Sequence, residues 1–459
     1  MSGLNGSLSI ALTALSVSQQ ELATTSNNVA NANTPGYTRE RADLAEGDPI
    51  LKGQFAYGTG VVLQKIESLR DPLLEIQLNQ QTQQQSQLDT SLGELQQIQT
   101  QFASASSGIG ADISNFFNSL QQLSPDPSNL ALRQGVLTAA GTLAHDFNTA
   151  ANSLQTQRSS LDVNVVQSVS AVNSLTAQIA TIDQKISELT GAGQNPGTLV
   201  DQQTSLIRQL SGLVNVSVIP TDQGISLALS NGTALVSGSQ SYALSTQAVN
   251  GVQDVLAGTQ DITSSLTGGS LGGYIQIRDQ EIPSLSSSLD QLAAGLATNL
   301  NAANAQGFDL NGNAGGNIFV PPPAGGVGAA SALTVAITDP ALIAASSDGT
   351  SGSNGNLAVL SAVATQPLAN GQTPIDSYAN IVFKVGNDTS NTSAESDASN
   401  LILQQLQDQR GSVSGVSLDE EAANLIQFQT AYQAATRVVA TVNSLLADAV
   451  NLGIDTAVQ

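Results

Sequence analysis

Leu4-Asn5-Gly6-Ser7-Leu8-Ser9-Ile10-Ala11-Leu12-Thr13-Ala14-Leu15-Ser16-Val17-Ser18-Gln19-Gln20-Glu21-Leu22-Ala23-Thr24-Thr25-Ser26-Asn27-Asn28-Val29 decides the fold when it is set beside the far end of the chain. Apolar or small residues recur at Leu4, Leu8, Ala11, Leu15, Ser18, Leu22, Thr25 and Val29, in steps of four and three. Near the other end the same steps join Leu418, Leu425, Phe428, Tyr432, Ala435, Val439, Val442, Leu446 and Ala449, with one turn skipped after Leu418. This is the seam of helices that pair along their length. Each helix spans roughly 40 Å at about 1.5 Å per residue. A helix with one apolar stripe must bury it. Burying the first stripe on the last brings both ends of the chain together and leaves the middle as a separate outer body.

The chain has 459 residues and a formal net charge of −23. That charge argues against nucleic acid, which needs clustered Lys and Arg, and against insertion into or adhesion to an anionic membrane. Cysteine is absent, so disulfides, thiolate metal sites and Cys nucleophiles are excluded. No Lys or Arg precedes Arg39, so the basic region of a cleaved secretory signal is missing. No apolar run reaches the length of a membrane span.

Between the ends the chain reads as mainly α with a small antiparallel β domain inserted in the middle. Pro35-Gly36 stops the first helix, and residues 37–68 are irregular to extended with a short strand at 61–66. Asp71-Pro72 restarts helix, with Asp as N-cap and Pro at N1. A seam through Leu74, Leu78, Gln81, Gln85, Leu88, Leu92, Leu95, Gln99 and Phe102 predicts a long helix. Helical pieces follow at 111–123 and 128–150, and a further seam runs from Leu161 to Leu189. The period turns to two after Leu213, with Asn231-Gly232 as a hairpin turn. Helix returns over 271–306, bent at Pro283, and over 376–412, broken by Gly411 to Gly415. The expected organisation is a terminal coiled-coil domain with its extended connection (1–70 and 413–459), a helical bundle (71–213, 266–316 and 357–412) and a β domain (214–265). Residues 317–356 are rich in Gly, Pro and Ala, with a strand candidate at 333–337, and belong either to the bundle or to an outer insert.

Chemistry is sparse. His145 is the only histidine and lies in a helical stretch, so no cluster offers a transition-metal site. Asp309-Leu310-Asn311-Gly312-Asn313 has the odd-position spacing of a calcium loop, but Ala314 and Val320 stand where Gly and Glu are needed, so it reads as a polar turn. Asp89-Thr90-Ser91 lies within a helix seam rather than in a loop between strands. The expectation is a non-enzyme without cofactor or metal.

Asn27-Asn28-Val29-Ala30-Asn31-Ala32-Asn33-Thr34-Pro35-Gly36-Tyr37-Thr38-Arg39 resembles the N-terminal motif of the flagellar axial proteins, the family of rod, hook and hook-associated subunits. Asn424-Leu425-Ile426-Gln427-Phe428-Gln429-Thr430-Ala431-Tyr432-Gln433-Ala434-Ala435 resembles their C-terminal motif. Gly415-Val416-Ser417-Leu418-Asp419-Glu420-Glu421, Asp309 to Gly316 and the helical region 71–213 resemble the hook-associated members of the hook–filament junction. The resemblance implies a structural homo-oligomer in a ring-like layer of a hollow extracellular tube. It implies export through the flagellar type III channel without a cleaved signal peptide. The implied neighbours are the hook protein and the second hook–filament junction protein, with a cytosolic export chaperone on the C-terminal helix. It assigns the assembly interface to Leu8, Leu15, Leu22, Asn28, Val29, Asn31, Pro35, Gly36, Tyr37, Leu425, Phe428, Tyr432, Ala435, Val439 and Leu446. The alternatives are another axial protein, hook or distal rod, and an exported enzyme or adhesin carried on a flagellar scaffold with 317–400 as its insert.

Overall fold

The computed structural model of the chain describes residues 2–52, 54–102, 108–221 and 224–455. Helix α1 (Ser2–Asn31) is followed by a tight loop in which Gly36 takes φ +86°, a conformation that L side chains avoid. Strands β1 (Glu40–Glu46), β2 (Ile50–Lys52), β3 (Phe55–Tyr57) and β4 (Val61–Ser68) then make a long antiparallel arm, β1 on β4 and β2 on β3. The stretch expected to be irregular to extended, with one short strand at 61–66, is therefore mostly paired strand. A side chain at Gly60, at the far end of the β1–β4 ladder, would collide with Ile10 and Thr13, so the arm lies close along α1 there.

Helices α2 (Pro72–Phe102), α3 (Ile109–Leu123), α4 (Leu130–Gly191) and α5 (Gly197–Leu213) build the body. The Asp71 carboxylate caps α2 by accepting from the N–H groups of Leu73 and Leu74. Helix α4 runs unbroken for 62 residues, where sequence reading separates a piece at 128–150 from a seam at 161–189. The pieces fuse because Phe147, Leu154 and Leu161, seven apart and each 0% exposed, carry one buried stripe across the join. Asn129 caps its start.

The β unit holds two antiparallel sheets. One orders β5 (Val216–Thr221), β6 (Gly224–Leu229), β7 (Ala234–Ser237) and β8 (Gln240–Ser241) in sequence. The other orders β11 (Gln260–Asp261), β10 (Val252–Ala257) and β9 (Leu244–Val249). The β9–β10 turn is Asn250-Gly251, both at positive φ (52° and 81°), as a type I′ turn requires. Val216, Leu227, Leu235 and Val255 pack with Val172, Ile179 and Leu210 of α4 and α5 into one core.

Helices α6 (Gly269–Gln276) and α7 (Ile282–Asn304) are joined by a π turn over Ile277–Glu281, so the irregularity expected at Pro283 lies just before it. Arg278, 0% exposed, sits in that turn and binds Asp162, Asp279 and the Gln253 carbonyl. Residues 317–356 pack into the larger core: Ile318, Phe319, Leu333 and Ile343 are buried among α3, α4 and α7. The strand candidate at 333–337 forms only an isolated bridge, Phe319 to Val335. Short helices α8 (Ala329–Ala332) and α9 (Gly355–Ala362) precede α10 (Pro374–Ser414), which runs past Gly411 and ends at Gly415, inside the expected break. Helix α10 meets α2 across a polar seam, with Gln81 donating to Ser399 and Gln85 to Ser396.

Helix α11 (Leu418–Asp455) returns antiparallel along α1, so Asn28 near the end of one meets Glu421 near the start of the other. Among the described residues, neither hydrophobic core contains a residue of α1 or α11. Among the described residues no helix is long and apolar enough to cross a membrane.

Candidate assembly interface

The paired terminal helices bury a narrow seam. Ala435 and Val442 are buried, while Leu425, Phe428, Tyr432, Val439 and Leu446 are half-buried. On α1, Ala11, Ser18 and Thr25 are buried, and Leu8, Leu15 and Leu22 are half-buried. At the body end of this rod the seam departs from sequence reading. Val29 is 40% exposed and Leu418 is 54% exposed, while Asn28 and Glu421 are each 1% exposed. The skipped heptad turn is thus filled by Glu421, four residues before Leu425. Counting apolar residues passes over it because it is charged.

Glu421 and Asn28 anchor a polar joint. The Asn28 amide donates to Glu421 Oε2 (3.3 Å) and to the Glu40 carbonyl (2.9 Å). Its oxygen accepts from the Tyr37 hydroxyl (2.8 Å) and the Glu40 N–H (2.9 Å). One side chain therefore satisfies both backbone groups of the residue opening β1, as a neighbouring strand would. Arg39 Nε donates to Glu421 Oε1 at 2.7 Å, and its Nη1 reaches Glu420. The Arg39 N–H donates to the carbonyl of Ser414, the last residue of α10. Burial, followed by the charges of Glu40, Asp201 and Glu421, raises the Tyr37 pKa and keeps the phenol protonated.

The rod is fastened to the body by the same kind of contact. Asp201 of α5 accepts from the Thr38 N–H (3.1 Å) and from Arg70. Glu75 of α2, 7% exposed, takes Arg410 Nε at 2.6 Å and Arg208 Nη2 at 2.9 Å. Burial alone would raise the Glu75 pKa, but hydrogen bonds and charge from Arg410 and Arg208 outweigh it and lower it. Arg410 also donates to the Gly36 carbonyl. The loop carrying Asn31, Pro35, Gly36 and Tyr37 lines a cleft of about 310 Å³ against Thr198, Asp201 and Ser205 of α5. The motif residues of the first helix and loop are thus gathered at this joint. The seam residues Leu425 to Leu446 lie along the rod beyond it.

The rod's outer surface is nearly free of charge. Glu21 is the only charged residue of α1, and Arg437 is the only one between Ala422 and Ala447 of α11. Ile10, Leu12, Ile426, Val438 and Leu445 are exposed there. Among the described residues no group of His, Asp and Glu is placed to hold a metal ion. His145 lies exposed on α4. The Asp309 carboxylate accepts from the N–H groups of Asn311 and Asn313, as in a polar turn.

Residues 95–319 match the family described as the flagellar hook-associated protein FlgK helical domain. Residues 8–38 match the flagella basal body rod protein family, and 409–452 match the flagellar basal body rod FlgEFG protein C-terminal family. The flagellar hook-associated protein 1 of Bacillus subtilis strain 168 is 30% identical over 97% of this chain and 97% of its own length. That of Escherichia coli K12 is 27% identical over 96% of this chain and 98% of its own. The structure of the flagellar hook junction protein FlgK from Burkholderia pseudomallei aligns at TM-score 0.67 and 20% identity, over 74% of this chain and 100% of that one, and supports the fold. With both end motifs and the helical body between them matched in order, the chain belongs to the flagellar hook-associated protein 1 family, FlgK, and is a structural component of the flagellum.

Proposed function

We propose that this chain forms the layer joining hook to filament, and that copies assemble through the α1–α11 rod. One observation carries the reading. A molecule of net charge −23 concentrates its charge on the body, the joint and the arm, and leaves the rod with only Glu21 on α1 and Arg437, Asp448 and Asp455 on α11 beyond the joint, with apolar side chains exposed. Copies packed rod against rod then avoid self-repulsion, and the surface suits an interface depleted of charge. The rod's own seam buries few large side chains, so its order is completed by neighbours.

The hook protein and the second junction protein are the neighbours this reading assigns. In the cytosol a chaperone covers the exposed Leu418, Ile426, Val438 and Leu445 of α11 before export without a cleaved signal peptide. A hook or distal-rod role draws on the rod families matched at both ends, but the match to the FlgK helical domain over 95–319 favours the junction. For an enzyme or adhesin the insert is unpromising. The cavity of about 610 Å³ beside it contains Asp290, whose carboxylate accepts from the N–H groups of Gly328 and Ala330. Deleting 425–459 tests the assignment. Cells making the shortened chain are expected to lose their filaments, and cells with normal, retained filaments would refute it.

A further inference from the structure

Between the joint and Ala447 the rod carries two charges, Glu21 and Arg437, which are of opposite sign and cannot meet within one molecule; Asp448 follows further out on α11. Among the described residues, half-buried Glu21 has no hydrogen-bond or ion-pair partner, and burial pushes its pKa up. It lines a cavity of about 220 Å³ at the foot of the rod, with Asn28, Glu40, Glu421 and Phe428. The other charged groups on that wall are Arg39, held by Glu420 and Glu421, and Arg41, which is 3.7 Å from Glu67. The charge facing the cavity is thus net negative. Arg437 is exposed on α11, on the side away from the seam, and among the described residues its side chain also lacks a partner. With Asn28 opposite Glu421 in an antiparallel pair, Arg437 lies roughly 13 Å further out along the rod than Glu21.

We propose that Arg437 of one copy inserts into the cavity beside Glu21 of the next. This deepens the assembly reading above and rests on it. The occupant is a second copy of this chain because the complementary charge is the one this chain itself presents, Arg437 being the only charged residue of α11 between Ala422 and Ala447. The contact is heterologous, socket on one side and knob on the other, so it repeats from copy to copy. It also sets a stagger between neighbouring rods on the order of 10 Å, because the knob and socket stand at different heights. Its energetic role is orientation more than adhesion, since shifted registers place Glu21 against uncharged surface or against Asp448.

Sedimentation of the purified full-length chain across a concentration series tests this, with circular dichroism to confirm folding. E21K and R437E each place like charges together and are expected to weaken self-association roughly tenfold. The double variant E21K/R437E restores it. An equimolar mixture of the two single variants also associates like the wild type, which only an intermolecular pair can explain. If the wild type associates and the single reversals leave it unchanged, the pairing is overturned and the assembly reading stands. Failure of both the double variant and the mixture to recover also overturns the pairing. If the folded wild type shows no self-association at any concentration, the assembly reading itself falls, and the pairing with it.

Discussion

Replacing Glu421 by Ala removes the one acceptor shared by Arg39 and Asn28. Glu421 is 1% exposed, and breaking a fully buried ion pair costs about 3–5 kcal/mol. The Arg39 side chain is 21% exposed and retains Glu420, so its guanidinium regains some water and the expected cost is about 2 kcal/mol. That cost falls on the joint, because neither hydrophobic core includes a described residue of α1 or α11. It corresponds to a roughly thirty-fold rise in the open population. Trypsin reads this opening directly, since cleavage after Arg39 tracks the open population when reclosing is fast. Cutting at Arg39 is expected to accelerate roughly thirty-fold in E421A, while cutting at Arg158 within α4 stays unchanged. E421Q keeps an acceptor for Asn28 but loses the charge, so about fivefold is expected. An unchanged rate at Arg39 in E421A would refute the role given to this layer.

Arg133→Met tests the anchoring of residues 317–356. Arg133 is 1% exposed and donates to the carbonyls of Pro127 (2.5 Å), Pro340 (3.3 Å), Ala341 (3.3 Å) and Ile343 (2.7 Å). Met fills the space but orphans those acceptors, so thermal unfolding should show a loss of about 3 kcal/mol. Asp112→Asn tests a carboxyl held up to about 6, first by burial and then by its hydrogen bond and charge contact with Asp146. The folded chain favours the protonated acid, so this group's stabilisation is full below its ordinary value of 3.8 and is lost as pH rises through about 6. Asn does not ionise, so D112N should be more stable than wild type above pH 6, by about 1 kcal/mol after discounting for screening. Denaturation across pH should show the difference vanish near pH 4.

The ends of this fold are legible because heptad periodicity and the Pro35-Gly36 stop are local signals. The switch to period two after Leu213 is equally local. The unity of α4 is less visible, since Leu154 stands alone in a polar stretch between Phe147 and Leu161. The packing of 317–356 is not legible from composition. Its Gly, Pro and Ala residues leave open whether it joins the bundle or forms an outer insert, and what holds it is a guanidinium some two hundred residues away in sequence. The motif residues were legible as a group, but their place was not. Asn28 works through Glu421, Tyr37 and Glu40, and a charge on a seam position is invisible to a search for apolar repeats. Only the skipped turn after Leu418 hinted at it.

The central claim is that the outer rod is an unfinished surface which neighbouring copies complete. Amide hydrogen exchange on the isolated monomer tests it most directly. Residues 2–20 and 430–455 are expected to exchange fast beside strongly protected α3 and α4, and to become protected once the chain is assembled on the hook. A rod as protected in the free monomer as α4 would contradict the account.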